Sequence, residues 1–157
     1  MDALIPRTMK LFWKIRRKLS KLKEIIHLVT IADQNTSLSI QCDEPINSDI
    51  PYQVIITSGN SFSATCSGQF FIVNPSLHQK FLDFEALKLT EITIKTNCDG
   101  FIHLIRQSLG SVLLKYQFED FQTGDVCRIT GEVIIEGENM NNTLKELRET
   151  IFSKIIV

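Results

Sequence analysis

Residues 7–23 carry eight Lys or Arg and not one Asp or Glu. A stretch so one-sided in charge cannot be enclosed in a core, so it must lie at the surface and leave the interior to the rest of the chain. Within and just beyond it, Phe12, Ile15, Leu19, Leu22, Ile26 and Val29 recur at spacings of 3, 4, 3, 4 and 3, which predicts one apolar helical stripe. Lys10, Lys14, Arg17 and Lys21 recur at 4, 3 and 4 on another face. Arg7, Arg16, Lys18 and Lys23 complete the cations, and Leu11 and Trp13 widen the stripe at its edges, where an aromatic ring suits a lipid headgroup boundary. Pro6 before Arg7 and Thr8 suits a helix start. A plain surface helix with a solvated charged face is the competing reading, but structural helices usually mix signs to gain i,i+4 pairs.

The formal net charge of −1 conceals this asymmetry. Residues 24–157 hold nine basic against 17 acidic residues, so the remainder carries 9 − 17 = −8. A cationic arm on an anionic body suits phospholipid headgroups, nucleic-acid phosphates or the acidic body of a second copy. At 157 residues the chain divides into a helical arm, 1–32, and a single domain, 33–157, large enough to bury a core.

Beyond the arm the pattern changes period. Leu38, Ile40 and Cys42 alternate with polar residues, 51–57 and 61–66 read as a hairpin about Gly59 and Asn60, and 69–73 reads as a further strand. Ser76 opens a short helix with Leu77, Phe81 and Phe84 inward. Residues 88–96 read as a strand, 101–109 as a helix capped by Asp99 and closed by Gly110, 111–118 as a strand, and 126–136 as a last strand kinked or bulged at Gly131. Thr143 and Glu146 form a capping box for a final helix with Leu144, Leu147, Ile151 and Ile155 on one face. No internal repeat is visible. The expected class is α+β: a basic amphipathic N-terminal helix, a mainly antiparallel sheet of about six strands, short helices and a C-terminal helix.

No catalytic or metal motif emerges. Cys42, Cys66, Cys98 and Cys127 lie 24 to 32 residues apart without a C-x-x-C pair, so zinc is not expected and core thiols are. Cys98 and His103 flank one turn, but no third group marks a nucleophilic dyad. The acidic pairs Asp43–Glu44 and Glu119–Asp120 read as solvated turns. No glycine-rich phosphate loop occurs among the seven glycines. Residues 25–32 resemble a signal-peptide core only faintly, being short and broken by His27 and Thr30. Phe70 and Phe71 read as core residues rather than as the exposed sheet aromatics of an RNA-binding surface. The chain is therefore expected to be a non-enzymatic binder without cofactor, metal or small-molecule substrate.

The layout of basic amphipathic N-terminal segment, β-rich body and terminal helix resembles the small matrix proteins of negative-strand RNA viruses, especially those of plant-infecting rhabdoviruses. The P-P-x-Y and P-[ST]-A-P peptides of many animal-virus matrix proteins are missing. The resemblance implies a self-associating protein of the host cytoplasm, inner membrane face and virion, contacting anionic membrane and ribonucleoprotein through residues 7–23. The alternative is an RNA-binding viral accessory protein, a silencing suppressor or movement-associated factor.

Overall fold

Strand alternation begins earlier than the helical spacing suggests. Val29 and Ile31 are buried while Leu28, Thr30 and Ala32 face outward, a period of two that only an extended chain produces. A computed structural model describes residues 27–46, 49–59, 62–71, 76–97, 99–120 and 127–152. Of these, 56% lie in strands. Two four-stranded antiparallel meanders contain them: β1 (His27–Ala32), β2 (Thr36–Cys42), β3 (Asp49–Ser58) and β4 (Phe62–Phe71), then β5 (Glu91–Lys95), β6 (Phe101–Arg106), β7 (Val112–Asp120) and β8 (Cys127–Ile135). Helix α1 (Ser76–Glu85) follows the first sheet and α2 (Met140–Phe152) the second.

The α+β expectation with a six-stranded sheet is thus corrected to a mostly β protein with two sheets and two described helices. The predicted N-terminal helix, residues 7–23 included, falls outside the described residues, except that its C-terminal end is strand β1. The helix expected over 101–109 is strand β6, central in its sheet between β5 and β7. Gly110, at φ +92°, turns the β6–β7 hairpin instead of ending a helix. The register runs unbroken through Tyr116↔Gly131, so Gly131 marks no bulge. Helix α2 begins a turn before the expected box, and the Thr143 hydroxyl donates back to the Asn139 carbonyl at 3.0 Å.

The inner faces of the sheets form one core. Leu38, Ile40, Val54 and Ile56 of the first sheet and Ile102, Leu104, Leu114 and Val133 of the second are buried to within 2%. Between them the rings of Tyr52 and Tyr116 lie 5.5 and 5.6 Å from that of Phe118. Each tyrosine stands opposite a glycine on the next strand, Tyr52↔Gly68 and Tyr116↔Gly131, and a Cβ on either glycine would collide with the tyrosine hydroxyl. Four strands, a tyrosine in the third, a glycine in the fourth and then a helix therefore occur twice. This architectural repetition leaves no trace in overall sequence similarity.

The helices are exchanged between the two units. α2, which follows the second sheet, packs on β1 and β2, whereas α1, which follows the first, packs on β5. They meet through Phe81 and Phe152, ring centroids 5.8 Å apart, and through a 2.5 Å contact from Arg148 Nε to Glu85 Oε2. At the C-terminus of α1, Lys88 N–H donates to the Asp83 carbonyl and Leu87 N–H to that of Phe84, which is a Schellman closure. Leu87 occupies its left-handed position at φ +64°, where a Cβ is strained, and its side chain is 71% exposed. Leu87→Gly is expected to raise unfolding free energy by about 1 kcal/mol in a urea titration, because relief of strain exceeds the entropy glycine adds to the unfolded chain.

The sheets are joined at opposite corners. At one, Phe70 bridges Thr96, Asn97 N–H donates to the Gln69 carbonyl at 2.8 Å, and Gln69 N–H donates to Asn97 Oδ1 at 3.0 Å. At the other, the Asp33 carboxylate accepts from the Asn35 and Thr36 amides of its own turn and, at 3.1 Å, from the Ile134 amide of β8. Burial pulls this carboxyl upward, but the three amides together outweigh it and hold the group below the usual carboxylate range. A depressed carboxyl contributes stability that is present above its unfolded value and lost as pH falls through the folded one. Asp33→Ala is therefore expected to lose about 1–2 kcal/mol at pH 7 and to show a shallower stability loss than the parent on acidification below about pH 4. Thermal melts at pH 7 and pH 3 check both.

Candidate functional site

The ten residues singled out in the arm, Arg7, Lys10, Phe12, Trp13, Lys14, Arg16, Arg17, Lys18, Lys21 and Lys23, lie outside the described residues. What the structure fixes is where the chain that carries them joins the body, at β1. That strand is one edge of the first sheet and β4 is the other, three strand spacings or about 14 Å away.

The two outer faces differ in chemistry. On the first sheet, cross-strand rows such as Thr30–Ser39–Ile55–Thr65 and Ala32–Ser37–Thr57–Ser63 present hydroxyls, amides and isolated apolar groups, with Asp49 at one corner. The Thr30 and Ser39 hydroxyls lie 3.0 Å apart across the pair. On the second sheet the rows Thr93–His103–Lys115–Glu132 and Lys95–Phe101–Gln117–Thr130 mix both signs with aromatic and polar groups.

Where β4 meets β5 and β6 a cleft of about 360 Å³ opens, lined by Phe71, Phe101, Thr93, Lys95 and Asp99. Phe70 and Phe71 do not share a fate. Phe70 is fully buried, while Phe71, one residue on, points to the opposite side of the strand and is 40% exposed. The expectation that both are core residues is corrected here by strand parity. Phe101 is half-buried, and Lys95 lies directly opposite it in the ladder. The cleft thus offers two aromatic rings, an ammonium and a threonine hydroxyl on a sheet surface, and its formal charges, Lys95 and Asp99, cancel.

The chemistry considered for catalysis is dispersed. Cys98 lies outside the described residues, and His103, on a strand, contacts Glu91 at 3.3 Å instead. Cys42 and Cys66 are core-facing and buried. Asp43 and Glu44 are exposed, but Glu119 is not a solvated turn residue: its side chain is 3% exposed and accepts from Arg128, Nε at 2.7 Å and the terminal nitrogen at 2.6 Å. His78 sits between the helices against Phe152, its imidazole held below the ordinary histidine value by burial and by Arg148. Among the described residues no group of three His, Cys, Asp or Glu is placed to hold a metal, and no helix is long and apolar enough to cross a membrane.

No family model, curated protein or solved structure matches the chain.

The stacking cleft could have been suspected from sequence. Cys66 and Phe70 fall on the inward parity of one strand, which places Phe71 outward. Reading 69–73 as a separate strand after Gly68 hid that continuity.

Proposed function

We propose that the protein is a non-enzymatic binder of single-stranded RNA, which stacks bases in the Phe71–Phe101 cleft and meets the phosphates with the arm. The observation that carries this reading is the pair of accessible rings beside Lys95 on a sheet face, in a chain whose cations are concentrated in a separate segment. Single-strand binding without sequence preference combines these two parts, stacking platforms and an electrostatic track. The cleft supplies no net charge, so affinity must come from stacking there and from counterion release at the arm.

The test is fluorescence anisotropy with labelled oligouridylate across a salt series. Phe71→Ala is expected to weaken binding by about 1–3 kcal/mol, roughly 5- to 150-fold, with an unchanged dependence on salt, because a ring and not a charge is removed. No binding at low salt, or equal binding by parent and variant, sinks the proposal.

A second reading is a matrix-like assembly protein on anionic membrane. Its support is the spacing of Phe12, Ile15, Leu19 and Leu22 with Trp13 at the stripe's edge, a pattern suited to the acyl boundary, where each nearby cation adds about 1 kcal/mol. Trp13 is the sole tryptophan, so its emission reports the arm directly. A blue shift with anionic but not neutral vesicles, undiminished by competing RNA, would favour this reading over the first.

A further inference from the structure

A second opening lies at the mouth between the sheets, about 510 Å³ in volume, bounded by the β3–β4 hairpin on one side and β7 and β8 on the other. Phe62 has the inward parity of β4 but, as the strand's first residue, it reaches past the end of the core and is 52% exposed. Facing it, Gly131 carries no side chain, so Tyr116 lies across β8 and brings its ring to the floor of the opening. Tyr116 is 4% exposed as a whole residue, and its hydroxyl lies in the space that a Cβ on Gly131 would fill, at the floor of the opening. A phenol hydroxyl at the floor of an opening is placed to donate to a ligand acceptor. Burial, and then the Asp33 carboxylate, push that phenol upward, so it is a donor throughout the neutral range.

Charge decides what kind of ligand fits. Arg128 lines the opening but is committed to the buried carboxylate of Glu119, while Glu132, at its rim, stands in the outer row opposite Lys115. Arg128 and Glu119 cancel each other, so the described lining leaves no uncommitted cation for a phosphate or acidic ligand and tolerates neutral or cationic ones. The remaining polar lining on the inward parity is hydroxyl, from Thr36 and Ser58, set around one accessible aromatic face. Aromatic stacking with several neutral hydrogen-bonding groups matches the alternating apolar and hydroxylated surfaces of a pyranose ring.

We propose that this mouth binds a neutral or amino sugar, stacked on Phe62 and held by a hydrogen bond from the Tyr116 hydroxyl. The site is separate from the Phe71–Phe101 cleft, and the proposal does not depend on RNA binding.

Saturation-transfer NMR on the full chain tests it, with glucose, glucosamine and the disaccharide of N-acetylglucosamine as probes and glucose 6-phosphate as the charged control. Binding of at least one uncharged or amino sugar is expected at up to about 10 mM, with glucose 6-phosphate weaker than glucose. Phe62→Ala removes an exposed ring and should weaken binding about tenfold. Tyr116→Phe keeps the packing and should weaken it severalfold with little change in melting temperature. Absence of binding by all three sugars, parity of glucose 6-phosphate with glucose, or Phe62→Ala binding like the parent would each overturn it.

Discussion

Phe118→Ala is expected to lower the unfolding free energy by about 3–5 kcal/mol, the usual cost of deleting a buried phenylalanine that its surroundings cannot refill. Phe118 is fully buried, and it touches a tyrosine from each sheet, Tyr52 across the interface and Tyr116 on its own strand. Both neighbours are held in place by the space above Gly68 and Gly131, so neither ring can collapse freely into the vacated volume. Set against the 5–15 kcal/mol that a typical domain possesses, the loss is a large share of the total, and the melting midpoint should fall on the order of 10 °C. Phe62→Ala, at an exposed ring, serves as the control and should melt within about 2 °C of the parent. A Phe118→Ala cost below about 1 kcal/mol would mean that the two sheets do not share the core described.

Replacing Lys14, Arg16, Arg17 and Lys18 together by alanine is expected to have the largest effect on binding. For single strands the slope of log affinity against log salt is about −0.7 per phosphate neutralised, so four fewer contacts should flatten it by 0.7 × 4 ≈ 2.8. Because the cleft is untouched, the residual affinity should still fall when Phe71 is also replaced. Charge removal and ring removal should therefore differ in kind: one changes the salt slope, the other shifts affinity at every salt concentration. If the fourfold variant keeps the parent slope, the arm does not contact phosphate.

Much of the strand content was readable wherever one face is buried and the other wet. Leu38, Ile40 and Cys42 alternate cleanly with Ser39 and Gln41 because the outward positions of β2 carry polar side chains, and β3 shows the same alternation of buried and outward positions. Residues 101–106 failed the same test for a physical reason. In Phe101–Arg106 the outward positions include the apolar Phe101 and Ile105, so apolar residues at 101, 102, 104 and 105 satisfy helical and strand periods alike, and six residues are too few to separate them. β1 was lost because Ile26 and Val29 continue the arm's spacing of three and four. The short helices were legible through Phe81 and Phe84 and through Leu144, Leu147 and Ile151, all buried. The candidate sites were less so. A cleft that joins Phe71 to Phe101, and a mouth that joins Phe62 to Tyr116, depend on which strands become neighbours, which no local pattern encodes.

The crossed placement of the helices has a consequence for how the molecule holds together. Each sheet of four strands leaves the chain needing a cover that its own following helix does not provide, so neither half closes by itself and unfolding should be a single cooperative event. The covering contacts are indifferent to which chain supplies the helix. If the connection after Glu85 swings outward, α1 of one molecule can take its seat on the β5 strand of another, reciprocally, and a two-chain particle arises from the same contacts that make one. Self-association of this protein would then require no dedicated surface patch, only the opening of a short turn in which Leu87 is already strained.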